Sequence, residues 1–201
     1  AAFLIALTLL TPKSKLVIHN VLCNDTRIFF LKILKKVNAN IKIKNLRKVS
    51  GELVGSIRVS SSAKLKPIIV SKDIGKFIDE LPILFVIAAL TKGVSRFKNI
   101  GDLKHKESNR LQESKKILVQ AGIKCKITKD SMIIYGKDKI ETQNKSILVK
   151  TKGDHRICMS SVILSLVTGI RAKIKNFETV NTSFPEFISL IKNLGGKIVI
   201  K

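Results

Sequence analysis

Tryptophan is missing from this 201-residue chain, and tyrosine occurs once. Nine phenylalanines bring the aromatic share to only 5%. A protein that grips single-stranded nucleic acid by stacking bases carries more rings, and clusters them. Cysteine is also scarce. Cys23, Cys125 and Cys158 are odd in number, far apart, and form no Cys-x-x-Cys pair. That argues against a disulfide scaffold and a zinc site, and fits a reducing compartment. There is no Gly-rich phosphate loop, nucleophile elbow or metal-ligand cluster. The apolar opening, AAFLIALTLL, is half the length a membrane-spanning helix needs, about 20 residues, and lacks the basic start of a signal peptide. With no initiator Met, the sequence reads as beginning within a longer protein.

Acidic residues are few as well. Fourteen Asp and Glu face thirty-eight Lys and Arg, for a net charge of +24. Such a balance points to nucleic acid, an acidic membrane surface or anionic small molecules. The basic residues are scattered, however, often in Ile-Lys alternation as in "NIKIKN" and "AKIKN". That pattern reads as half-buried strands with lysine on the wet face. The balance therefore favours a lysine-studded surface with anionic substrates over nucleic acid. Charged residues make up 26% and apolar ones 45%, enough to bury a sizeable core.

Three stretches resemble one another. "SKLVIHNV" precedes "TRIFFLKILKKVNANIKI"; "GVSRFKNI" precedes "KESNRLQESKKILVQAGIKCKI"; "RAKIKNFE" precedes "SFPEFISLIKNLGGKIVI". Each reads as a strand ending near Asn20, Asn99 or Asn176, then a loop and an amphipathic helix. A turn at Ala39, Gly122 or Gly195 then leads into a second strand. A further helix precedes each unit, at residues 1–10, 80–91 and 155–168. Extra strands are expected at "ELVGSIRVS" and "SMIIYG", and short ones at "PIIV" and "SILVK". Self-similarity on this scale marks modules that share one core, of the α/β or α+β class.

The helix starts carry their own signals. Ser183 with Glu186 predicts a capping box, with Pro185 in the first turn. Asp79 precedes the helix containing Pro82 and predicts an N-cap. Asp154 predicts another, with His155 and Arg156 just inside. Free amides at such ends attract anions where the ends converge, a matter the spacing leaves open.

The densest polar stretch is "KHKESNR". On a helix beginning near Lys106, that residue shares a face with Arg110, as Glu107 does at i,i+3. One reading is a solvated salt bridge. The other is a carboxylate held among cations, passing a proton while the cations hold an anion. His19 reads as structural, and Arg27 in "NDTR" stands at a helix start.

Taken in order, "NDTR", "IDELPILFVIAAL", "LKHKESNRL", "GDHRICMS" and "TSFPEF" resemble the 3-phosphoshikimate 1-carboxyvinyltransferase (5-enolpyruvylshikimate-3-phosphate synthase) family. The resemblance runs from about residue 1 to 200 and covers that family's C-terminal lobe; its N-terminal lobe has no counterpart in this sequence. It implies three βαβαββ units forming one lobe of the enolpyruvyl transferase fold, an inside-out α/β barrel. It also implies transfer of the enolpyruvyl group of phosphoenolpyruvate to the 5-hydroxyl of shikimate 3-phosphate. No metal or organic cofactor is implied, and no nucleic-acid or membrane partner. A cytoplasmic enzyme, monomeric at full length, is expected, with this chain inactive by itself.

Position by position, Asp79 matches an aspartate proposed as general base on the shikimate hydroxyls. Glu107 matches the carboxylate proposed to move the methylene proton. Lys106 matches a lysine on shikimate 3-phosphate; Arg110, His155 and Arg156 match the group holding phosphoenolpyruvate. Asp102 and Arg27 complete the expected substrate-binding set. Three positions depart from the family pattern: Asn109 stands where "KESDR" has Asp, His105 where an apolar residue is usual, and Thr182 where some members carry lysine. UDP-N-acetylglucosamine enolpyruvyl transferase shares the fold, but "KESNR" and "DHR" argue against it. A basic nucleic-acid-binding module is the alternative from another class.

Overall fold

The computed structural model describes residues 1–62, 64–141 and 146–199. Its helices are α1 (Ala2–Leu10), α2 (Phe29–Lys36), α3 (Leu81–Ala89), α4 (Arg110–Gln120), α5 (His155–Thr168) and α6 (Phe187–Asn193). Its strands are β1 (Lys15–Leu22), β2 (Ile41–Val49), β3 (Glu52–Ser60), β4 (Ile69–Val70), β5 (Gly93–Phe97), β6 (Lys124–Ile127), β7 (Met132–Gly136), β8 (Ser146–Lys150) and β9 (Arg171–Lys175).

The sheets repeat one plan. β1–β3–β2 is antiparallel; β4–β5–β7–β6 adds a parallel strand at the front; β8 and β9 pair in parallel. The middle unit carries the full βαβαββ order. Alternation sets each sheet's inner face. Leu16, Ile18, Ile41, Ile43, Ile57 and Val59 stack across the first sheet, while Lys42 lies opposite Arg58 on the other face. A one-residue slip would invert that partition. The recurring asparagine also has a cause. Asn20, Asn99 and Asn176 all have φ between 54° and 60°, the left-handed region that asparagine enters more readily than other non-glycine residues. Asn20 lies where the β1–β3 register shifts, between Ile18 and Val21.

Two kinds of helix cover the sheets. α2 buries Phe30, Leu31, Ile33 and Leu34 and turns Lys32, Lys35 and Lys36 outward, the single-stripe pattern of a surface helix. α3, by contrast, buries all nine of its residues. α1 is nearly as apolar, α5 buries the run Ile157–Leu164 with two serines in it, and α1, α3 and α5 pack on one another as the shared core. Helices apolar on every side have to be central. The opening AAFLIALTLL is thus a core helix.

Several local expectations are corrected. The first turn is made by Asn38, with φ 69°, rather than by Ala39. "PIIV" forms strand only at Ile69–Val70. The strand expected after Gly195 is not formed over residues 195–199. Topology supplies a reason. β2 and β6 are bonded only to the return strands β3 and β7, and no described residue forms a third return strand. Ser183 does not cap α6: it ends the 3-10 turn Phe177–Thr182, and α6 follows Glu186 without a side-chain cap.

Candidate active site

The site forms where α3, α4 and α5 begin. Asp154 is the N-cap of α5: its Oδ1 accepts the amides of Arg156 at 3.0 Å and Ile157 at 3.2 Å. That fixes the backbone from which His155 and Arg156 project. Arg156 reaches α3, donating through Nη1 to the Asp79 carbonyl at 2.9 Å and to Glu80 Oε1 at 3.5 Å. Of the helix starts whose meeting the spacing left open, those of α3 and α5 are joined here.

Asp79 differs from its expected role. It lies in the 3-10 turn Ile78–Glu80, and α3 is preceded by Glu80 with no side-chain cap. Its carboxylate instead faces three cations. Oδ1 accepts from Arg110 Nη1 at 2.9 Å and pairs with Lys106 Nζ at 3.4 Å, and Oδ2 lies 3.7 Å from Arg156 Nη2. A carboxylate drawn to three side-chain cations is not free to cap amides.

The "KHKESNR" stretch also folds differently from expectation. Gly101–His105 is a 3-10 turn, Lys106 is extended, and α4 begins at Arg110. Glu107 still meets Arg110 three residues on, from a loop. Asn109 is the N-cap of α4, accepting the Gln112 amide at 3.1 Å. Asn and Asp cap about equally well, so the departure from the family's Asp retains the local function. Asn109→Ala is expected to cost about 1 kcal/mol and Asn109→Asp only a few tenths. Urea unfolding of both variants checks this.

Arg110 organises the cluster. Its side chain is 1% exposed. Nε donates to Asp154 Oδ2 at 2.9 Å, Nη1 to Asp79 and Nη2 to Glu107. One planar fork thus holds three carboxylates from three separate segments. Ser108 Oγ also donates to Asp154 Oδ2, at 2.9 Å. Lys106 and Arg156 are more open, at 31% and 23% exposure. Ser108, Glu80 and the second role of Asp154 were not found by sequence reasoning; the cap signal at Asp154 says nothing of the guanidinium 44 positions away. One turn further along α4, buried Glu113 accepts from Lys152 at 2.9 Å and Lys116 at 3.0 Å, pinning the loop that carries Asp154.

The electrostatics follow from these contacts. Burial is the largest single influence on Asp79 and pushes its carboxyl up, but Arg156, Lys106 and Arg110 together outweigh it and hold it below the usual range. Asp79 is therefore ionised at neutral pH. Burial raises Glu80, against the pull of Arg156. Burial lowers His155; Arg156 and Arg110 push the same way, against Asp154 and Glu107. The imidazole is neutral at pH 7. Burial drives Cys125 and Cys158 up to about 12, which closes thiolate chemistry to them.

Asp102 and Arg27 are exposed, and no hydrogen bond or ion pair among the described residues joins their side chains to this cluster. His105 is exposed at the end of its turn, where a polar side chain meets water. Thr182 Oγ1 donates to the Thr179 carbonyl at 2.8 Å. No helix among the described residues is long and apolar enough to cross a membrane.

Repeated βαβαββ-type units around three central helices, with acids and bases gathered at the helix starts, define a lobe of the enolpyruvyl transferase class. The family described as EPSP synthase (3-phosphoshikimate 1-carboxyvinyltransferase) matches residues 1–191. The chain belongs to that family. It is 35% identical over 194 residues to a 3-phosphoshikimate 1-carboxyvinyltransferase of Clostridium tetani, covering 96% of this chain and 44% of that protein. A relative of the same name from Campylobacter jejuni subsp. doylei is 39% identical, with 98% of this chain and 45% of that protein covered. Among solved structures, EPSP synthase from Acinetobacter baumannii superposes with a TM-score of 0.92 at 33% identity, over the whole of this chain and 46% of that one. The enolpyruvyl transferase NikO from Streptomyces tendae matches at TM-score 0.69 and 13% identity, a likeness of fold. The chain spans a little under half the length of the curated relatives it matches.

Proposed function

We propose that this chain is the C-terminal lobe of a 3-phosphoshikimate 1-carboxyvinyltransferase, completed by an N-terminal lobe. The observation that carries the reading is Arg110 joining Asp79, Glu107 and Asp154 where α3, α4 and α5 begin, in a chain of that family. The substrates are two anions, phosphoenolpyruvate and shikimate 3-phosphate, drawn to Lys106, Arg156 and helix amides. The 5-hydroxyl oxygen bonds to C2 of phosphoenolpyruvate as Asp79 takes the hydroxyl proton. Glu107, entering the step in its acid form, delivers a proton to C3. The tetrahedral intermediate then loses its phosphate by C–O cleavage, a C3 proton returns to Glu107 to restore the double bond, and the hydroxyl proton held by Asp79 leaves with the phosphate. His155, neutral, donates a hydrogen bond to a substrate oxygen. Arg110 reaches phosphoenolpyruvate only by exchanging Asp79 or Glu107 for the substrate anion, since its nitrogens are otherwise engaged. Asp102 and Arg27 stay candidates for contacts made with the other lobe in place.

Joining the chain to an N-terminal lobe of the family and measuring phosphate release tests the reading. Release that requires both substrates, and is lost when the lobe is removed, is the expected result. A joined, folded protein that releases no phosphate overturns it. Duplex DNA binding unaffected by either substrate, with a steep salt dependence, would favour the nucleic-acid module instead.

A further inference from the structure

Two buried side-chain oxygens, Ser114 Oγ on α4 and Ser160 Oγ on α5, lack a hydrogen-bond partner among the described residues. Both residues are 5% exposed. Both line the same small cavity between α3, α4 and α5, of about 10 Å³, walled by Phe85, Val86, Leu118 and Ile157. Other buried hydroxyls on these helices behave differently. Ser161 donates to the Ile157 carbonyl at 2.7 Å and Thr91 to the Ile87 carbonyl at 2.7 Å, each four residues back. Ser114 and Ser160 make no such back-bond, and instead border a shared space.

We propose that one buried water occupies this cavity and bridges Ser114 Oγ to Ser160 Oγ. Size and chemistry agree. A cavity needs roughly 10–15 Å³ to admit a single water, together with two or more polar partners. Each hydroxyl can donate once and accept twice, so the water can accept from one serine and donate to the other. A dry cavity would leave both oxygens with their lost hydration uncompensated.

Its position gives the bridge a role. Ser114 lies four residues after Arg110, and Ser160 four after Arg156, so the water sits one helical turn below both guanidinium-bearing positions. It ties α4 to α5 directly beneath the Arg110–Asp154 pair. The bridge is thus a structural tie between the two helices, and the assignment holds whatever substrate the cluster takes.

A high-resolution crystal structure of the chain should show a density peak about 2.7–3.2 Å from both Oγ atoms. Ser114→Ala and Ser160→Ala should each lower Tm by about 2–4 °C. The double variant should lose less than the sum, because the second substitution removes an oxygen the first has already stranded. Water-to-protein cross-relaxation at the two serine methylenes supplies the same readout in solution. A dry cavity with both hydroxyls turned onto helix carbonyls would overturn the proposal, as would strictly additive losses.

Discussion

Asp154→Ala is expected to destabilise the chain by about 3–5 kcal/mol, the cost of breaking a buried ion pair by removing one partner. The carboxylate is fully buried and does three things at once. It balances Arg110, accepts from Ser108, and caps α5 through two amides. Its loss leaves the Nε of Arg110, a side chain only 1% exposed, without its buried partner, and the guanidinium charge rests on the more exposed Asp79 and Glu107 alone. The cap alone accounts for about 1 kcal/mol of the total. Asp154→Asn separates the two contributions. Asparagine caps as well as aspartate, so the amide bonds survive while the charge is lost, and the variant should fall between wild type and Asp154→Ala. Since a typical domain is stable by only about 5–15 kcal/mol, the alanine variant should unfold at a visibly lower urea midpoint. If both variants unfold with wild type, Arg110 draws its support from elsewhere.

The second large effect is on turnover. In the joined two-lobed protein, Glu107→Gln and Asp79→Ala should each lower kcat by about 10²–10⁴-fold, the range for losing a positioned acid or base. Glu107 is half exposed, so its replacement should leave the unfolding midpoint nearly unchanged. That separates a chemical defect from a folding one. Asp79→Ala also removes the shared partner of Lys106, Arg110 and Arg156, so its KM should rise alongside the fall in kcat. Wild-type turnover in either variant would remove the residue from the assigned chemistry.

Much of the fold was legible in the chain. Ile-Lys alternation marked β2, β6 and β9, because a half-buried strand needs apolar residues on one side only. The three asparagines marked equivalent strand ends, because a left-handed backbone tolerates few other side chains. What misled was local capping. Asp79 and Ser183 both carry the signature of an N-cap, and neither performs it. At Asp79 the reason is competition: charged partners from α4 and α5 attract the carboxylate more strongly than the amides of its own helix do. The strand read after Gly195 failed for a different reason, since a strand pattern states a preference but not a partner.

The sequence by itself determined the repeated units, the inner and outer faces of their strands, the helix that precedes each unit and the polar residues grouped near helix starts. These depend on periodicity and on residues a few positions apart. Tertiary structure alone decided that those starts meet, that Arg110 is buried, and that one guanidinium links Asp79, Glu107 and Asp154. Two of those bonds span 31 and 44 positions. Spacing carries no information over such separations, because the approach of the segments is set by the packing of α1, α3 and α5 against one another. Charge pairing then selects, from the residues brought near, which acid meets which base.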